Sequence, residues 1–323
     1  MASAESVAAV VSAGGAHVPE LMDRVEARLR AVATSHGPVL GEQAEATIAA
    51  GGKRLRPLLV LVAAGPQPAD DEALVRAGAA VELVHAASLV HDDVLDGAAL
   101  RRGRPTVVAA AGRDMAIATG DLLFSRAFAE LAGTGRADVV RVLSDAASAL
   151  AAGELLQRAD AWSADVSRER YLERCDLKTG RLFQAACALG ALLGGGSVEA
   201  LAAFGRRIGL AFQLLDDVLD VSGPAERTGK HRGTDLLDGT VTLPLILARE
   251  ADPELAALDV RTVTTPAAAE AVCDKIAATG ALERSREEAL AMVADAKRQL
   301  PALPEAQQAA LELVADGVVD RYS

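Results

Sequence analysis

Residues 89–106 read LVHDDVLDGAALRRGRPT. An apolar run ends in three aspartates, Asp92, Asp93 and Asp96, and two adjacent arginines, Arg101 and Arg102, follow within a dozen residues. The core of this stretch, DDVLD, returns at residues 216–220 as Asp216, Asp217 and Asp220. On a helix, positions i and i+4 share a face, so Asp92 pairs with Asp96 and Asp216 with Asp220. If the two acidic patches face each other, like charges about 4 Å apart cost roughly 1 kcal/mol in water and roughly 4 kcal/mol near a protein surface. A cation is needed between them. Magnesium suits the donors, because it prefers oxygen, keeps several waters and is commonly held by one or two carboxylates plus substrate phosphates. The arginines add forked donors that match phosphate geometry.

A single DDxxD in a chain with 45 acidic residues would read as a solvated helix face. Two identical copies, each preceded by apolar residues, argue for a shared site. Other basic stretches fit around it. GGKRLRP at residues 51–57 has glycines that let backbone approach an anion, with Lys53, Arg54 and Arg56 crowded at the turn and Pro57 suited to a first helical turn. Alone it reads as a basic interhelix loop; beside the aspartates it reads as a phosphate site. His85 lies two helical turns before Asp92 on the same face. Lys178 and Thr179, followed by Gly180, are either phosphate ligands or an exposed lysine and a back-bonded threonine. Gln213, one turn before Asp217, needs polar partners if buried. The stretch 222–239 is glycine-rich and basic, with Lys230, His231 and Arg232, and reads as a mobile lid.

The 323 residues suffice for one large domain or two ordinary ones. Apolar residues make up 51% and aromatics only 2%. That balance of alanine, leucine and valine favours closely packed helices over strands. The formal net charge of −12 argues against nonspecific nucleic-acid binding. Three widely spaced cysteines suggest neither a disulfide framework nor a zinc site and fit a reducing compartment. No basic residue precedes Arg24, unlike a secretory signal. The apolar runs at 58–65 and 182–196 fall short of the roughly 20 residues that span a bilayer. A cytoplasmic location is expected, with no transmembrane segment.

Periodicity predicts helices over about 21–33, 39–50, 70–97, 114–131, 137–160, 198–219, 240–251, 265–279, 281–299 and 304–320. Ser167 is expected to cap another that leads to Lys178. Residues 1–18 read as a loose lead-in. No interdomain linker appears, so residues 1–323 are expected to form a single domain.

Taken together, GGKRLRP, HDDVLDGAALRRGRPT, LKTG, AFQLLDDVLD and GKHRGTDLLDGTVTLP, in this order over residues 51–244, closely resemble the trans-isoprenyl diphosphate synthases of the polyprenyl synthetase family. The resemblance implies an all-α bundle around a deep central pocket, built as a homodimer. It implies condensation of isopentenyl diphosphate with an allylic diphosphate, assisted by two or three magnesium ions bridged by diphosphate. Carried over by position, Lys53, Arg56, His85 and Arg102 bind isopentenyl diphosphate. Arg101, Lys178, Thr179, Gln213 and Lys230 surround the allylic diphosphate. Asp92, Asp96 and Asp216 hold metal, supported by Asp93, Asp217 and Asp220. The chain departs from the family at Thr240, where a lysine is common.

Ala87 and Ser88, five and four residues before Asp92, are small where short-product members often place an aromatic floor. They imply a product of C20 or longer, with C30 to C50 favoured. In an alanine-rich chain the same residues also serve simple tight packing. Two other readings stay open: a subunit of a heteromeric synthase, and a class I terpene cyclase of the same fold.

Overall fold

The computed structural model describes residues 4–66, 70–101, 103–163, 165–223 and 231–320. Helices α1 (Ala4–Ala13), α2 (His17–Thr34), α3 (Gly37–Ala49) and α4 (Leu55–Ala63) lead into the long α5 (Asp71–Asp96). A minimal hairpin, β1 (Leu100–Arg101) and β2 (Arg104–Pro105), pairs Leu100 with Pro105 and Arg101 with Arg104. Then follow α6 (Val107–Ala111), α7 (Arg113–Ala132), α8 (Ala137–Asp160), α9 (Arg168–Cys175), a π-helical turn (Asp176–Gly180), α10 (Arg181–Gly194) and α11 (Val198–Ser222). The remainder is α12 (Thr234–Leu237), α13 (Leu243–Ala251), α14 (Pro253–Ala256), a 3-10 turn (Val260–Thr262), α15 (Pro266–Ala278), α16 (Ala281–Arg298) and α17 (Glu305–Asp320). The architecture is all-α.

The start of α5 follows from its sequence: the Asp70 side chain accepts from the Ala73 backbone N–H, and Gly97 closes the other end in a left-handed conformation, φ 61°. Ala77 to Val84 along α5 are buried almost completely, and the helix packs on α7 and α2. Alpha-10 lies against α4 and α11, and glycine makes that approach possible. A Cβ at Gly190 would come 2.2 Å from the Val60 carbonyl oxygen, and one at Gly194 1.9 Å from that of Ala64. One continuous apolar cluster runs from Val10 to Val318.

Residues 4–13 are not a loose lead-in. They form α1, which packs on α17, with Val10 buried. A short hydrophobic helix of this kind has no strong periodic signature and is stabilised by the distant C-terminal helix it meets. The hairpin within the segment after Asp96 was also not expected. By length and composition α5 would cross a membrane, but 83% of its most apolar stretch is buried inside the protein. It is the core helix.

Candidate active site

Both aspartate motifs sit in the last turns of their helices, at the C-terminal ends of α5 and α11, and neither last turn carries a basic residue. The helix dipole is unfavourable to carboxylates there. Each motif therefore concentrates negative charge where the backbone already disfavours it, which suits a site completed by a cation.

In the first motif the three carboxylates separate by environment. Asp92 is mostly buried, with Lys178 Nζ at 3.9 Å. Burial pushes its carboxyl up to about 6; Lys178 and Arg101 oppose this, while Glu154 and Asp96 add to it. Asp93 is turned inward, with both Nε and Nη2 of Arg101 donating to its Oδ1 at 2.8 Å. Asp96 is ion-paired with Arg158. The second motif repeats the division. Asp217 is buried; Tyr171 Oη donates to its Oδ2 at 2.7 Å and Gln213 Nε2 to its Oδ1 at 2.8 Å. Burial raises the Asp217 carboxyl, with Asp235 and Asp216 adding to the effect. Asp216 and Asp220 are half-buried, and Asp220 Oδ2 accepts from the Asp235 backbone N–H at 3.2 Å.

The π-helical turn links the two motifs. Lys178 Nζ donates to Glu154 Oε2 at 2.5 Å and Gln157 Oε1 at 3.2 Å, beside Asp92. The next residue, Thr179, donates its hydroxyl to Gln213 Oε1 at 2.8 Å, and Gln213 passes the contact to Asp217. Neighbouring side chains of one turn thus serve opposite motifs. Turns of this kind, with i→i+5 hydrogen bonding, are rare and frequently functional. A Cβ at Gly153 would lie 2.6 Å from the Lys178 backbone nitrogen, so α8 presses directly on the turn.

Lys53 and Arg56 flank α4's start, both half-buried, with the Arg56 guanidinium 4.7 Å from the Phe183 ring centroid. His85 is half-buried on α5, and its backbone carbonyl accepts from the Ser88 hydroxyl at 2.8 Å. Ala87 is fully buried and Ser88 nearly so. Arg102 and Lys230 lie outside the described residues, as does most of the basic stretch before His231.

Sequence reasoning passed over Glu154, Gln157, Arg158 and Tyr171. The first three lie on α8 within the stretch GELLQR. Their signal was faint, because a Glu and an Arg at i and i+4 read as a solvated ion pair. Here Arg158 Nε does donate to Glu154 at 2.9 Å, but Glu154 is also buried against Lys178. Burial would raise the Glu154 carboxyl; Lys178 and Arg158 more than offset this and hold it below its ordinary range.

Among the described residues no three carboxylate, histidine or cysteine side chains close into a ready-made metal cage. The donor set still fits magnesium. The oxygens are hard, they come in pairs on two helix ends, and Asp92 carries a charge that burial alone leaves poorly compensated. Such a site is completed by ligand phosphate oxygens and water.

An all-α bundle with two helix-terminal aspartate motifs, joined by a lysine–threonine turn, defines the class of diphosphate-handling isoprenoid enzymes. The Polyprenyl synthetase family model matches residues 38–279, and the chain belongs to that family. It is a prenyltransferase. It is 43% identical over 260 residues to heptaprenyl diphosphate synthase component 2 of Geobacillus stearothermophilus, covering 79% of this chain and 81% of the relative. It is 36% identical over 266 residues to the octaprenyl diphosphate synthase of Escherichia coli K12, covering 80% and 82%. The crystal structure of a polyprenyl synthase from Caulobacter crescentus CB15, complexed with calcium and isoprenyl diphosphate, superposes with a TM-score of 0.90 at 36% identity, covering 98% of each chain.

Proposed function

We propose that the chain condenses isopentenyl diphosphate head-to-tail with an allylic diphosphate, making an all-trans polyprenyl diphosphate of C20 or longer, with C30 to C50 favoured. The observation that carries this reading is the π-helical turn, whose Lys178 sits beside the first motif while Thr179 reaches the second through Gln213. A diphosphate bound there would lie beside Asp92 of the first motif and against the Thr179–Gln213 pair that holds Asp217 of the second.

Asp92, Asp96 and Asp216 would hold magnesium, two or three ions, together with the substrate diphosphate. When bound, the metal stabilises negative charge on the departing diphosphate. Lys178 and Arg101 add fixed positive charge at the same group. The allylic C–O bond breaks with its electron pair leaving on diphosphate. The isopentenyl double bond supplies the pair for the new C–C bond, and the proton then lost passes to the diphosphate. Asp93 and Asp217 do not face the reaction in this account. They orient Arg101 and Gln213. Lys53, Arg56, His85 and Arg102 bind isopentenyl diphosphate; Thr179, Gln213 and Lys230 complete the allylic side. The whole chain acts as one domain, as a cytoplasmic homodimer.

One relative is named as component 2 of a heptaprenyl diphosphate synthase, but the octaprenyl and nonaprenyl relatives carry no component designation, and a heteromeric synthase is not favoured. Both DDVLD motifs are intact here. The test is product analysis of the purified chain alone, with each allylic starter in turn. Elongation without any second protein supports the proposal. Hydrocarbon or alcohol release without isopentenyl diphosphate indicates a cyclase instead.

A further inference from the structure

Among the described residues only two besides glycine have left-handed backbone, Arg54 and Trp162. Arg54 stands at φ 49°, ψ 36°, as the residue before α4. Such a conformation costs a non-glycine residue energy and persists only where the surroundings over-determine it. Three contacts do so here. Arg54 Nε donates to Glu26 Oε1 on α2 at 2.5 Å, Nη1 to Glu82 Oε1 on α5 at 2.8 Å, and Nη2 to the Ile48 carbonyl on α3 at 2.9 Å. Only a tenth of the Arg54 side chain is exposed, and Glu82 is buried. One side chain thus ties four helices together. It does so in the middle of GGKRLRP, between Lys53 and Arg56, and its partner Glu82 lies one helical turn before His85.

We infer that Arg54 is a positioning residue for the isopentenyl diphosphate subsite, fixing Lys53 and Arg56 of the loop relative to His85 of α5 through its clasp on Glu26 and Glu82. This rests on the proposed assignment of Lys53, Arg56 and His85 to that substrate. Arg54 itself is turned into the protein and committed to carboxylates, so it acts through its neighbours.

The experiment uses the full chain with steady-state kinetics, varying isopentenyl diphosphate at saturating farnesyl diphosphate and the reverse, alongside calorimetric binding of isopentenyl diphosphate alone. Glycine adopts the left-handed conformation without strain, so Arg54→Gly removes the clasp and leaves the backbone able to turn. Misplacing binding groups by about an ångström costs roughly ten- to a hundredfold. Arg54→Gly is expected to raise the KM for isopentenyl diphosphate by that factor while the farnesyl diphosphate KM stays within about twofold. Glu82→Gln keeps the side-chain shape and the backbone, serves as the second variant should Arg54→Gly fail to fold, and shows the same split. Arg54→Lys, able to pair but not to fork, recovers part of the loss. An unchanged isopentenyl KM in both Arg54→Gly and Glu82→Gln, or an equal rise in both substrates' KM values, overturns the inference. Lys53→Ala is run in parallel. If it raises the isopentenyl KM and the Arg54 and Glu82 variants do not, the inference alone fails. If Lys53→Ala leaves that KM unchanged, the subsite assignment fails and takes this inference with it.

Discussion

At the residue scale, each DDVLD motif divides its aspartates between exposed-side and inward-facing duties. Asp92 and Asp216 each keep part of their side chain exposed, while Asp93 and Asp217 are turned into the protein on Arg101, Gln213 and Tyr171. Loss of a group that stabilises charge at a reacting phosphate costs about a hundredfold or more. Asp92→Ala and Asp216→Ala should each lower turnover by at least that much with the far-ultraviolet dichroism unchanged. Tyr171→Phe removes one donor from a buried carboxylate and should lower stability by about 1–3 kcal/mol, read as a shifted urea midpoint. The raised Asp92 carboxyl sets a pH dependence. Folding lifts it from an ordinary 3.8 to about 6, so the folded, metal-free chain binds the proton more tightly than the unfolded chain does. That contribution to stability is present below pH 4 and is lost as pH rises through about 6. In thermal unfolding without metal, wild type should lose stability relative to Asp92→Asn between pH 4 and 7. Because proton and metal compete for the same oxygens, magnesium affinity should fall as pH drops below about 6. The i, i+4 aspartates were legible in the sequence because spacing alone places them. The inward turn of Asp93 and Asp217 was not, because it depends on Tyr171 and Arg101, whose distance from the motif along the chain carries no periodic signal.

At the element scale, helix ends were well marked wherever a capping residue announced them. Asp70 and Ser167 accept the hydrogen bonds expected of caps, and Gly195 closes α10 in a left-handed turn. The π-helical turn was visible only as a lysine and threonine before Gly180, because a one-residue insertion in hydrogen bonding leaves no trace in hydrophobic periodicity. The minimal hairpin after Asp96 escaped for a related reason. Two residues per strand are too few to alternate. The alanine-rich composition did forecast close helix contacts, and the glycines on α10 show how close. A methyl group at residue 194 would meet the Ala64 carbonyl, which is backbone and cannot swing aside. Overpacking of this kind typically costs about 1–3 kcal/mol. Gly194→Ala should therefore lower the melting temperature markedly, whereas Gly195→Ala, whose added Cβ meets nothing within 4 Å, should show only the smaller strain of its positive φ.

At the scale of the whole molecule, the reading rests on an acidic chain gathering its cations locally. Net charge is −12, yet Lys178, Arg101 and Arg158 stand within contact of the first motif. In the proposed reading, product length is set along α5 below that motif. One helical turn, about 5.4 Å, is comparable to one isoprene unit, and Ala87 and Ser88 lie one turn below Asp92. Ala87→Phe or Ser88→Phe should shorten products toward C15 or C20, seen by chromatography after dephosphorylation; an unchanged spectrum would place the floor elsewhere. The central claim, a diphosphate held by metal between the two motifs, is tested most directly by label transfer. Radiolabelled isopentenyl diphosphate and farnesyl diphosphate are incubated with the purified chain alone, in magnesium and in excess EDTA. The account predicts label in polyprenyl diphosphate of C20 or longer with magnesium and none with EDTA. Equal incorporation in EDTA, or none in magnesium, would contradict it.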